Sequence, residues 1–280
     1  STPLYSSAAS DVYKRQNTRN VYQINYKTTL LMKLAKVGWI EPLIFFVIVI
    51  LNLSPIFCCE HFTTLDSGAH LYNANIVKTL LTENHSLYSD VYTFNSEPIP
   101  NWSGHFILAI LLLFFKANLA EKILLCSIFI LLPIFFRKIV KIIAPNNLLL
   151  SYAIFPFTHY CLLYLGFYNF TLGVLFFLIF LSFWLKNHEN KFTWKQYLLL
   201  SSLFLTLYFS HLFAFIIGIM FIGLHIFITS IFNDQKTFWK SLFSKTTPVL
   251  ITSAPFLLLT LNYLSLIHIS EPTRLRRISY

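Results

Sequence analysis

Charge is the scarcest property of this sequence. Only 11% of its 280 residues are Asp, Glu, Lys or Arg, against roughly 25% in an ordinary soluble domain. With 56% apolar residues, that balance excludes a disordered chain. Glycine is scarce too, at seven residues, which excludes a collagen-like repeat. Few glycines and no succession of short alternating strands also argue against an outer-membrane barrel. The four cysteines, Cys58, Cys59, Cys126 and Cys161, form no CxxC and have no zinc spacing with histidine. They exclude a disulfide scaffold and read as small buried hydrophobes. What the chain has in abundance is apolar and aromatic: 18% Phe, Trp and Tyr, with a mean hydropathy of +0.64. The expected fold class is all-α, a polytopic membrane protein.

The net charge of +10 comes from 21 basic and 11 acidic residues. Residues 1–16 and 265–280 resemble translated sequencing-library adaptors, and both are expected to be foreign to the fold. Without them, 17–264 holds 16 basic and 9 acidic residues, and Met32 is the expected start. On this reading the chain is a fragment. Nothing in the pattern implies a nucleic-acid partner.

A membrane helix needs about 20 predominantly apolar residues. Adequate windows are 41–59, 121–136, 147–165, 167–185, 196–210, 212–232 and 248–264, so about seven spans are expected. No small-residue cleavage site follows the first, which reads as an uncleaved anchor. Gly104–Phe115 is apolar but short, and reads as a juxtamembrane helix. With that segment outside the bilayer, one side collects Arg19, Lys27, Lys33, Lys36, Arg137, Lys138, Lys141, Lys186, Lys191, Lys195, Lys236, Lys240 and Lys245. The other keeps only Lys78, Lys116 and Lys122. Thirteen against three places the N-terminus in the cytoplasm by the positive-inside rule.

The long polar connection, about 60–120, then lies outside, with Glu121 at its end. Within it, Asp66 to about Glu83 is helical in pattern, with Ala69, Tyr72, Ile76 and Leu80 as its apolar stripe. Asp66, His70 and Asn73 fall at i, i+4 and i+7 on an adjacent face. Asp66 suits two roles, an N-cap and a general base. Pro98-Ile-Pro-Asn-Trp-Ser-Gly-His105 leads into the second juxtamembrane helix. His159, Asn169 and His211 map to the same side of the membrane, and ionisable groups at membrane depth are functional candidates by default.

An acid on a juxtamembrane helix (Asp66…His70-Leu-Tyr-Asn73), then Pro-x-Pro-x-Trp102, then Ala120-Glu-Lys122 entering a span, resembles the GT-C superfamily. Gly166-Phe-Tyr-Asn-Phe-Thr-Leu-Gly173 is similar to a segment of bacterial members. The likeness covers about 38–264. It implies a glycosyltransferase of a bacterial inner membrane that takes a sugar from a polyprenyl-phosphate-linked donor to an acceptor the sequence does not identify. Asp66 and His70 would be catalytic, and Asn73, His105, His159, Asn169 and His211 would bind substrate. Many members carry a second acid beside the loop Asp, where Ser67 stands here, so a divalent metal stays open. The competing expectation is a lipid-linked saccharide flippase or other transporter, in which Pro133, Pro156 and Pro255 would break helices around a path across the bilayer.

The orientation is testable by single-cysteine labelling in a background lacking the four native cysteines. Glu189→Cys should be shielded from an impermeant reagent in intact cells, and Asp90→Cys should react; labelling of position 189 from outside would overturn the assignment.

Overall fold

The computed structural model describes residues 38–58, 60, 62, 64–83, 87–95, 97–232 and 238–278, with side chains through 267. The adaptor-like segment 1–16 and the proposed start at Met32 lie outside these residues, as does Cys59. Every regular element among them is helical, and no strand occurs. The chain divides into two units, one ending at Leu51 and the other starting at Asn52. The first contains α1, Ile40–Leu51, with Phe45 and Val49 buried.

The second unit holds α2 (Ser54–Phe57), α3 (Ser67–Thr82), α4 (Ser103–Leu111), α5 (Ala117–Ile143) and a 3-10 helix (Leu148–Phe157). It continues with α6 (Cys161–Tyr164), α7 (Tyr168–Asn187), α8 (Trp194–Ser210), α9 (Leu212–Ile231) and α10 (Phe238–Ile278). Among the described residues, five helical stretches are long and apolar enough to cross a membrane: Ile40–Phe57, Ala117–Ile143, Tyr168–Asn187, Leu212–Ile231 and Phe238–Ile267. α8 has 17 residues, about 26 Å at 1.5 Å per residue.

Helix α7 is the centre of the bundle. Its first half, with Tyr168, Leu172 and Leu175, belongs to a core shared with Val77, Leu108, Leu125 and Phe129. Its second half, with Phe180, Leu181 and Trp184, joins a core built from Leu200, Phe204, Tyr208, Phe215, Ile222 and Phe256. Small residues set the spacing at two points. A Cβ on Gly173 would meet Cβ of His211 at 3.0 Å and Cβ of Ala214 at 3.1 Å, so glycine there lets α9 start hard against α7. A Cβ on Gly218 would meet the Phe180 ring at 3.4 Å.

The window 147–165 is not one α-helix. It forms the 3-10 helix, a break at Thr158–Tyr160, and the single turn α6. Pro156 has no N–H to give the ladder, and the Ser151 and Thr158 hydroxyls bond backward to Leu148 O and Phe155 O, the local competition that disfavours a regular helix. The segment runs antiparallel to α5. Arg137 donates to Ser151 Oγ at 3.1 Å, His159 stacks on Phe129 at 4.5 Å, and Tyr168 reaches Glu121. The N-terminal ends of α5, α7 and α9 therefore lie at one end of the bundle, and both 144–167 and α8 return the chain along its length.

Three expectations need correction. α3 does not bury the stripe Ala69, Tyr72, Ile76, Leu80: Ala69 and Tyr72 are exposed, and the buried positions are Ser67, Ala74, Ile76, Val77 and Thr79. Packing of α3 on α4 and the pull of Glu121 on Ser67 rotate that face inward. The thiols of Cys58 and Cys161 are exposed and Cys126 is half-buried, because an apolar group in a membrane bundle fits a lipid-facing position as well as a core. Finally, α5 and α10 run unbroken through Pro133 and Pro255. Neighbouring helices and hydroxyls re-satisfy the backbone groups that a proline frees.

Candidate functional site

The site lies where five helix N-termini converge: α3 at Asp66, α4 at Trp102, α5 one turn before Glu121, α7 at Phe167 and α9 at His211. Glu121 holds the convergence together. It is 5% exposed, and its Oε1 accepts the Ser67 hydroxyl and the Tyr168 phenol, both at 2.5 Å. Since Tyr168 spends its proton on Glu121, its oxygen accepts from Thr64 Oγ1 at 2.9 Å. One carboxylate thus ties the start of α3 and the start of α7 to α5. Ser67, directly after Asp66, thus donates its hydrogen bond to an acid from another helix.

The Tyr168 ring stacks on His70 at 4.8 Å. His70 Nε2 faces Gly166 O at 2.7 Å, and a carbonyl only accepts, so Nε2 carries the proton. Its Nδ1 faces His105 Nε2 at 3.1 Å. The other ring nitrogen of His105 bonds the backbone carbonyl of Asn101. Carbonyls thus close both ends of the pair. Burial first, and then the neighbouring His70, push His105 down to about 4 against an upward pull from Asn101 O, so His105 resists protonation.

Asn101 is the one non-glycine residue with positive φ (68°) among the described residues, and Gly166 has φ +89°. Asn101 O also accepts Asn169 Nδ2 at 2.8 Å, and Asn169 Oδ1 accepts Gly104 N–H at 2.7 Å. The Asn169 amide is therefore a clamp between α7 and α4. A Cβ at Gly166 would lie 2.8 Å from Asp66 Cβ, so only glycine allows this turn to sit against the start of α3.

Asp66, His70, Asn169 and His211 line one cavity of about 470 Å³, together with Asn101, Tyr168, Phe170 and Phe213. Asp66 precedes α3 but makes no side-chain capping bond. Its carboxylate, on an exposed residue, faces this cavity. α7 and α9 begin there, again without a side-chain cap, so first-turn N–H groups border the space. His211 Nδ1 is buried without a partner, and burial holds this imidazole below its ordinary range. Asn73 and His105 line an adjacent cavity of about 440 Å³ with Trp102, Tyr92 and Tyr263. His159 stands apart: its Nδ1 meets Tyr164 Oη at 3.1 Å and its Nε2 meets Asn52 O at 3.0 Å, part-way along α5.

The expected residues therefore divide by what their polar atoms are doing. Asp66 and His211 have capacity left for a ligand, His70 and His105 are engaged with each other and with two backbone carbonyls, Asn169 holds the backbone, and His159 braces the 3-10 segment. Tyr168, Gly166 and Thr64 were not anticipated as site residues. Glu121 was noted only as an acid at the threshold of a span. No group of three or more His, Cys, Asp or Glu side chains placed to hold a metal occurs among the described residues. No protein family, curated protein or solved structure matches the chain.

Two outcomes are expected. Glu121→Ala leaves buried hydroxyls on Ser67 and Tyr168 without their acceptor and should destabilise the protein by about 1–3 kcal/mol per orphaned group, whereas Glu121→Gln keeps a carbonyl acceptor and should lose far less; chemical denaturation in detergent measures both. The second is a pH effect. The folded protein holds His105 at about 4, below the ordinary 6.5, so between those values the unfolded chain binds a proton that the fold refuses. This contribution to stability is complete above pH 6.5 and lost as pH falls toward 4. His105→Gln should flatten that part of the thermal-stability profile, and an unchanged slope would refute the assignment.

Proposed function

We propose that this protein is a membrane glycosyltransferase of the GT-C kind, transferring a sugar from a polyprenyl-phosphate donor at the Asp66 face. The observation that carries the reading is the cavity where the uncoordinated Asp66 carboxylate, the unpartnered His211 Nδ1 and the uncapped first turns of α7 and α9 meet. Oriented N–H groups and helix dipoles favour an anion there. A lipid phosphate suits that environment. The acceptor hydroxyl attacks the anomeric carbon while its proton passes to Asp66. The sugar–phosphate C–O bond breaks, and the lipid phosphate leaves with the electron pair, stabilised by the first-turn amides and His211.

In this reading 144–167 and α8 complete seven crossings with the five long helices, the N-terminus lies in the cytoplasm, and the Asp66 face opens outside a bacterial inner membrane. Transport would call for polar groups along a path through the bundle. The space between the two ends is filled instead by the apolar cores around α7.

Asp66→Asn is the deciding substitution. Asp66 makes no capping bond and Asn is an equally good cap, so stability should hold while transfer of labelled sugar from a polyprenyl-phosphate donor in membranes falls about 10²–10⁴-fold. Full activity in this variant would remove Asp66 as the base.

A further inference from the structure

The far end of the bundle carries a second polar cavity that the transfer reading does not use. α7 rises from Tyr168 to Asn187, about 30 Å at 1.5 Å per residue, and ends beside a space of about 720 Å³. It lies between the α7–α8 turn and the start of α10, and its lining includes His188, Lys191, Tyr197, Lys240, Ser244 and Lys245. Among the described residues, Glu189 is the only acid lining it, with a side chain 80% exposed and 3.8 Å from His188 Nε2.

Lys245 is half-buried as a residue and its ammonium donates to Thr229 Oγ1 at 3.3 Å, a long bond that leaves two N–H groups for another acceptor. Three lysines on one concave surface of this size would repel one another without an anion. The depth of the cavity points to its source. Trp194 and Trp239 beside it are 71% and 63% exposed, and tryptophans at helix ends mark the headgroup level. Lys195 lies over the Trp194 ring at 5.7 Å. Basic pockets between helices at that level take anionic headgroups.

We propose that this cavity is a binding site for a phosphate-class anion, supplied by the headgroup of an anionic phospholipid in the leaflet opposite the Asp66 face. The lysines act as point charges on the phosphate, and the lining hydroxyl of Ser244 offers a further hydrogen bond. A lipid held there would brace the α7–α8 turn against α10.

The test uses the full chain in detergent, titrated with short-chain phosphatidylglycerol, with phosphatidylcholine of equal length, and with inorganic phosphate. Binding is read by native mass spectrometry and by tryptophan fluorescence. One phosphatidylglycerol should bind in preference to phosphatidylcholine. Affinity should fall about fivefold for each lysine removed, to about twenty-five-fold in Lys240→Gln/Lys245→Gln, and the exposed Lys191→Gln gives the single-charge step should the double variant fail to fold. Lys138→Gln/Lys141→Gln, on basic residues that do not line the cavity, should bind as wild type. Phosphatidylglycerol binding that inorganic phosphate does not displace supports the lipid source. Equal affinity for inorganic phosphate supports the anion site but assigns it a soluble ligand. Equal binding of the two lipids without a phosphate response, or an equal loss in the control pair, overturns the proposal. Sugar transfer does not enter any arm, so the outcome is independent of Asp66.

Discussion

Glu121 is a carboxylate at the threshold of an apolar helix, and the arrangement of the site depends on how it is satisfied. A buried charge or polar acid is tolerated only with hydrogen-bond donors. Here the donors come from the starts of two other helices, Ser67 of α3 and Tyr168 of α7. Meeting that demand brings Asp66, one residue before Ser67, and Asn169, one residue after Tyr168, to the same cavity. The two donors that satisfy Glu121 are therefore adjacent in sequence to Asp66, which is open to a ligand, and to Asn169, which clamps α7 to α4.

A second constraint follows from backbone chemistry. Helices that start at one end of a bundle expose N–H groups there without intrahelical partners, and at the Asp66 end these are left without side-chain caps. Their collective dipole opposes a buried cation and welcomes an anion. The His70–His105 pair sits in that setting with its outer nitrogens donating to Gly166 O and Asn101 O. Gly166 and Asn101 supply those carbonyls from positive-φ turns, so two backbone irregularities orient the pair.

The two ends of the bundle differ in how they handle charge. At the Asp66 end, acids and imidazoles are held by hydrogen bonds between helices, and little is left unsatisfied except Asp66 and His211. At the other end, lysines crowd a cavity with little acidic compensation. Between them, among the described residues, the apolar cores along α7 carry no comparable polar path. On the two proposals above, chemistry belongs to one surface and lipid binding to the other.

Composition and hydrophobic run length alone determined the helical class, the long apolar helices, the two short helices α3 and α4, and the placing of Asp66, His70, Asn169 and His211 towards one end. Those features are local: a run of apolar residues or a proline pair acts on its own stretch of chain. The chain without its tertiary structure could not say which polar atoms would be used up. His70, His105, Asn169 and His159 looked alike as candidates. The packed structure engages nearly all their polar atoms and leaves Asp66 and His211 with capacity for a ligand. The buried face of α3 and the anchoring role of Glu121 belong to the same category. They depend on partners 47 and 54 residues apart in sequence, and hydrogen-bond satisfaction at such separations is decided only when the helices pack.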